Sequence, residues 1–169
     1  MSDTYPHPAA MNPDQLYEQC SLKQTRGTGP GGQHRNKVAT AVILTHEPTG
    51  ITGQASERRE QIANRKVALF RLRVNLALQV RCDPIYPPSD LVQSRFIQGS
   101  IKVNPAHTDF PAVLAEVLDN LYFTKLDPRK TGSRLGCSTS QLVKFLKNEP
   151  RSLEMVNRDR KAKNMHPLR

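Results

Sequence analysis

Cysteine is scarce in this sequence: Cys20, Cys82 and Cys137 lie far apart, with no CxxC pair. An odd, scattered set in a cytosolic chain reads as free thiols and excludes a disulfide framework or a thiolate zinc site. The five histidines, His7, His34, His46, His107 and His166, lack metal-ligand spacing such as HExxH. No metal and no cofactor is expected. Long apolar runs are missing too: a membrane-spanning helix needs about 18 apolar residues in a row, and the chain has none. The start, Met1-Ser2-Asp3-Thr4-Tyr5-Pro6, lacks the basic opening and apolar stretch of a secretory signal. It also lacks the arginine-rich amphipathic pattern of a transit peptide, so a cytoplasmic location is expected. Acidic residues are few, 15 against 25 lysines and arginines, giving a net charge of +10 and a pI near 9.9. That balance implies an anionic partner, nucleic acid or an anionic membrane surface. At 169 residues the chain holds one ordinary domain, or a core of about 100 residues with appendages.

What the chain does have is a concentrated glycine stretch, Arg26-Gly27-Thr28-Gly29-Pro30-Gly31-Gly32-Gln33-His34-Arg35-Asn36-Lys37. Four glycines and a proline so close together cannot be a helix or an interior strand. They predict a loop whose backbone reaches torsions closed to other residues and can be approached closely by another molecule. Arg26, His34, Arg35, Asn36 and Lys37 suit phosphate and ribose contacts. Gln33 is a neutral amide with two donors and an acceptor. The GK[ST] ending of a P-loop is absent, as are the strand-then-helix context and downstream acid of a dinucleotide site. The loop has no carboxylate and no attached Ser-His-Asp or Cys-His set, so it brings no evident nucleophile or general base. His34 has no visible orienting partner and reads as structural or RNA-contacting.

The whole string runs Gly-x-Gly-Pro-Gly-Gly-Gln-His-x-Asn-Lys, then Ala41-Val42-Ile43-Leu44-Thr45-His46, Pro48-Thr49-Gly50-Ile51, Glu57-Arg58, Gln61 and Asn64-Arg65. It resembles the GGQ-bearing peptidyl-tRNA hydrolysis domain of class I peptide chain release factors, and most of all the codon-independent ribosome-rescue hydrolases. The resemblance covers roughly residues 20–80. One departure is Arg35, where the usual release factors carry a small apolar residue. The resemblance implies ribosome-dependent hydrolysis of the peptidyl-tRNA ester, with Gly31, Gly32 and Gln33 catalytic. The peptidyl transferase centre and the terminal ribose of the tRNA would supply the rest. A backbone N–H at Gln33 would donate to the developing oxyanion or the leaving 3′-oxygen, while its side chain orients water. The implied partners are ribosomal RNA and peptidyl-tRNA, with no membrane, and a monomer is expected.

Along the chain, residues 1–11 are polar and proline-bearing and are expected to be disordered. Residues 12–81 are assigned to the hydrolysis domain. Asn12-Pro13 starts a short helix, strands follow at 22–26, 38–47 and 51–55, and Pro48-Thr49-Gly50 makes a turn. A helix is predicted over 57–80 with Ser56 as N-cap, packing Ile62, Leu69, Leu72 and Leu76 on the sheet. Its other face carries Arg58, Arg59, Arg65, Lys66, Arg71 and Arg73, of which the first four are candidate RNA contacts. Residues 82–110, punctuated by four prolines, read as a linker or extended segment. Residues 111–157 read as a helical region, with a helix capped by Asp109, a capping box at Ser138 and Gln141, and a last helix towards 163. The pattern from Leu135 to Leu142 resembles a helix-turn-helix, read first as packing. Residues 158–169 read as a basic tail, with Arg160, Lys161 and Lys163 as further RNA-contact candidates. Rescue hydrolases of this family carry such an extension into the empty mRNA channel.

The expected fold is therefore α+β: a small mixed or antiparallel sheet on a long basic helix, with a glycine-rich loop, then a small helical region. The segment ahead of the first strand is far too short to be the codon-reading domain of a standard release factor, which favours codon-independent rescue. Two other readings stay open: a non-hydrolytic RNA-binding adaptor, and the catalytic half of a two-chain release factor.

Overall fold

The computed structural model describes residues 6–25 and 41–169. They are α+β in composition and divide into two compact units, residues 11–76 on one hand, residues 6–10 with 77–169 on the other.

In the first unit, Asn12 accepts a hydrogen bond from the Asp14 amide at 2.9 Å and Pro13 fills the first turn of α1 (Pro13–Glu18). Three antiparallel strands follow, β1 (Cys20–Thr25), β2 (Ala41–His46) and β3 (Thr52–Ala55), with β2 in the centre. Leu22 pairs with Leu44, and Leu44 with Gly53. Ala41, Val42, Leu44 and His46 of β2 are buried, as its apolar run predicts. Gly50, at φ +69°, turns the chain from β2 into β3. The His46 ring secures this turn, with Nδ1 2.8 Å from Thr49 Oγ1 and Nε2 3.1 Å from Gln19 Oε1.

The helix α2 (Gln61–Gln79) starts four residues later than expected, and residues 58–60 form a bend. Buried Asn64 is the reason. Its side chain accepts from the Arg58 amide and donates to the Arg58 carbonyl, both at 2.8 Å, holding that backbone out of the helix.

β3 is an edge strand, and α2 caps its free carbonyls. Arg71 donates to Gln54 O and Asn75 to Thr52 O, each at 2.8 Å. Two residues along a strand span about 6.8 Å and four along a helix about 6 Å, so positions 52/54 and 75/71 run alongside each other. Between them lies Gly53, where a Cβ would stand 2.3 Å from the Ala68 carbonyl oxygen and 2.4 Å from the Leu72 nitrogen. Only glycine permits so close a strand–helix contact.

Leu72 and Leu76 are buried as expected, but Ile62 is 71% exposed. The β3 contacts fall on residues 68–75, and Ile62 lies well over a turn beyond them. Arg73, expected on the basic face, is only 7% exposed.

The second unit is built on one long apolar helix, residues Phe110–Phe123. Residues 6–11, expected to be disordered, are folded: Pro8–Ala10 form a 3-10 turn, with His7 and Ala9 buried. Residues 82–110, read as a linker, contain α3 (Asp90–Arg95) and a small hairpin of β4 (Phe96–Ile97) and β5 (Ser100–Ile101). Then come α4 (Phe110–Phe123), α5 (Pro128–Leu135), α6 (Thr139–Leu146) and α7 (Pro150–Ala162). Every residue of α4 from Phe110 to Leu121 is buried. Its three buried polar side chains each hold a neighbouring segment. Glu116 accepts from Ser89 N at 2.7 Å and Ser89 Oγ at 2.5 Å. Asp119 accepts from Arg81 at 3.2 Å and the Cys82 amide at 3.1 Å. Asn120 accepts from Arg134 Nε at 2.9 Å. A long apolar helix with paired polar groups thus organises three segments that are weakly patterned by themselves.

Asp109 precedes α4 as expected but makes no side-chain cap; its carboxylate is taken by Arg95. Ser138 does cap α6, accepting from the Gln141 amide at 3.2 Å. Gly136, at φ +75°, closes α5 in the left-handed conformation.

Candidate nucleic-acid interface

The sequence candidates divide by position. Gly31, Gly32 and Gln33, with Arg26, His34, Arg35, Asn36 and Lys37, lie outside the described residues. Arg58, Arg59, Arg65 and Lys66 are described, and all four are exposed. They occupy the bend at 58–60 and the first two turns of α2, so the structure brings them into one short stretch.

Two features position them. The Asn64 clasp fixes the Arg58 backbone, as described above. The Arg65 guanidinium lies 3.7 Å from the centroid of the Tyr17 ring, a cation–π contact that holds the head group in place while leaving its edge in water. Two acids accompany this stretch, Glu60 within it and Glu57 just before it; Glu57 pairs with Arg71 at 2.6 Å, and the contact holds its carboxyl below the usual carboxylate range. Its charge is thereby matched, and the arginines at 58, 59 and 65 face solvent. Preorganised arginines with exposed fork donors suit phosphate oxygens. Sequence reading includes Asn64 in the resembling string but gives neither it nor Tyr17 a positioning role. Burial of Asn64 is a property of the fold, and Tyr17 reads as a core position in a short amphipathic helix.

The C-terminal candidates separate. Lys161 and Lys163 are exposed, but Arg160 is 8% exposed. Its Nε donates to His166 O at 2.7 Å and another guanidinium nitrogen donates to Leu126 O. The residues read as a tail are folded: α7 runs through Ala162, and Leu168 is buried. Arg160 is therefore a structural cation that satisfies carbonyls, removed from the surface.

Among the described residues, one trio of metal-ligating types comes together, His7, Cys82 and Asp119, with ligand atoms within 4.8 Å of one another. Protein partners already engage it. His7 Nδ1 accepts from the Ala9 amide at 3.0 Å, its Nε2 faces Val80 O at 3.2 Å, and Asp119 pairs with Arg81. Burial raises the Cys82 thiol and lowers the His7 ring. A thiol held protonated beside a guanidinium is a poor cation ligand. No described helix is long and apolar enough to cross a membrane.

Residues 15–84 match the RF-1 domain family. Over 59 residues the chain is 48% identical to peptide chain release factor PrfB1, chloroplastic, of Arabidopsis thaliana, covering 35% of this chain and 13% of that protein. Over 51 residues it is 55% identical to peptide chain release factor 2 of Acidovorax sp. (strain JS42), covering 30% and 14%. Over 66 residues it is 39% identical to peptide chain release factor 2 of Staphylococcus haemolyticus, covering 39% and 17%. The chain thus spans less than a fifth of the length of these relatives. The match takes in the sheet, the Asn64 clasp and the exposed arginines, and ends at residue 84, before α3. Residues 15–84 of the chain are thus similar to the RF-1 domain of peptide chain release factors.

Proposed function

We propose that this chain hydrolyses the ester of peptidyl-tRNA on the ribosome and so releases the nascent peptide. The observation that carries this reading is that the RF-1 match at 15–84 runs across Gly31-Gly32-Gln33. Ester hydrolysis needs water placed at the carbonyl and donors for the developing negative charge. Gly31 and Gly32 permit torsions that turn a backbone N–H at Gln33 towards that charge, and the Gln33 amide orients water. Ribosomal RNA and the tRNA ribose supply the remaining groups. Arg58, Arg59, Arg65 and Lys66 hold the domain on RNA phosphates, where the match with an anionic partner follows from their exposure.

Codon-independent rescue is the mode this proposal favours, on the order of parts: a hydrolysis domain followed by a basic C-terminal region. The seating of Arg160 and Leu168 argues against the last residues acting as a channel probe. Lys161 and Lys163 remain available for RNA.

The test is release of labelled peptide from peptidyl-tRNA on purified ribosomes bearing an empty A site, a sense codon or a stop codon. Release from the empty site, sharply reduced by Gln33→Ala or Gly32→Ala with ribosome binding retained, is the expected result. Release at stop codons alone would replace rescue with codon-dependent termination through a partner. Ribosome binding without release anywhere would make the chain an adaptor.

A further inference from the structure

The second unit presents two aromatic side chains to water, Tyr86 at 71% and Phe123 at 58% exposure. One guanidinium serves both. The Arg134 head group lies 4.9 Å from the Tyr86 ring centroid and 4.8 Å from that of Phe123. It is held from behind, because Arg134 Nε donates to Asn120 Oδ1 at 2.9 Å, and buried Asn120 is itself tied to Glu116 O at 2.9 Å. The three planar groups come from three places, the 82–89 segment, the end of α4 and the end of α5, and Asn120 brings the cation to the rings.

Exposed aromatic rings cost solvation, and a cluster of them on a surface points to something that covers it. Charge selects the occupant. Lys130 lies one helical turn from Arg134 on α5, and Lys125 follows Phe123 by two residues; both are exposed. Asp127, the acid nearest these lysines in sequence, caps α5 by accepting from the Arg129 and Lys130 amides, and its carboxyl is held low by them; Asp83 and Asp90 flank Tyr86 in sequence. Planar apolar faces beside lysines, in a chain of net charge +10, match a stacked base with its phosphate. Stacking reads no base edge, so the site would take unpaired nucleotides with little sequence preference.

We propose that Tyr86, Phe123 and Arg134 form a stacking site for single-stranded RNA, with Lys130 and Lys125 on the adjoining phosphates. The site lies beyond the RF-1 match and is independent of ester hydrolysis.

The chain has no tryptophan, so Tyr86→Trp in the full-length protein gives a single reporter at the site. Titration with oligoadenylate of roughly ten nucleotides should quench its fluorescence, and the same strand paired with oligouridylate should not. Phe123→Ala should weaken binding roughly tenfold, the loss of one stacked base. Lys130→Gln should lower the salt slope by about one phosphate contact. Gln33→Ala should change none of these, which separates this site from the release reaction. Both aromatic positions are exposed, so the variants keep the fold, checked by circular dichroism. Equal quenching by duplex, or an affinity indifferent to Phe123→Ala, overturns the proposal. Ribosome binding that needs Tyr86 and Phe123 while oligoadenylate leaves the reporter unmoved assigns the patch to a protein partner, and also overturns it.

Discussion

Asn157 and Leu168 clasp each other reciprocally: the asparagine amide donates to Leu168 O at 3.0 Å and its oxygen accepts from the Leu168 amide at 2.7 Å. A side chain thereby mimics a strand partner for the chain end, and buried Leu168 anchors it.

Asn157→Ala removes both bonds and should destabilise the second unit by about 1–2 kcal/mol. Urea denaturation measures the loss, and carboxypeptidase should trim the variant faster than the parent. Equal trimming would show that Leu168 is held by something other than this clasp.

Gly53→Ala places a methyl group against the Ala68 carbonyl and the Leu72 nitrogen, both backbone. Neither can rotate away, so β3 must part from α2. The expected cost is about 2–3 kcal/mol, read by denaturation. A neutral substitution would mean that strand and helix slide readily past each other.

Burial lowers the His7 pKa from its ordinary 6.5, outweighing Asp119, which raises it. The unfolded chain then binds this proton more readily than the folded one. His7 stabilisation is complete above about pH 6.5 and is lost as pH falls through the lowered folded value. Buried His46 shifts in the same direction, while the raised Glu116 pKa has the opposite sign and favours the folded state at low pH. Melting temperatures from about pH 7.5 down to about pH 5 should therefore fall less steeply in His7→Gln than in the parent. Parallel curves would remove His7 as a source of acid sensitivity.

Asn64→Ala deletes the two bonds to the Arg58 backbone and should cost about 1–3 kcal/mol. At conditions where the variant stays folded, ribosome affinity should also drop, since Arg58 loses its fixed position. The double change of Arg58 and Arg59 to glutamine should leave stability unchanged and reduce the salt slope of ribosome binding by about two. An unchanged slope would place the RNA contacts elsewhere.

The comparison of sequence and structure turns on local as against distant causes. Asn12 with Pro13, the apolar run of β2, Gly50 and the Ser138 cap all follow from short-range chemistry, and each appears where its residues predict. Helix α2 was legible as a helix, but its start was not, because a buried side chain at 64 holds residue 58. Ile62 has the right period for the core yet lies beyond the reach of β3, and periodicity carries no information about where a partner strand ends. Arg160 shows the same limit for charge. Its place in a basic run predicts solvent, and two carbonyls distant or turned back in sequence draw it inside.

By itself, the sequence determined the α+β class, the basic balance, the glycine-rich string and the family to which it points, because composition, capping and motif order are local properties. Tertiary structure alone decided that residues 82–110 fold, that the last residues are clasped, and that Arg134 meets Tyr86 and Phe123. Each of those outcomes depends on buried polar groups of α4 or α7 finding partners many residues away, and such pairings are settled by which surfaces pack, not by any residue's neighbours in the chain.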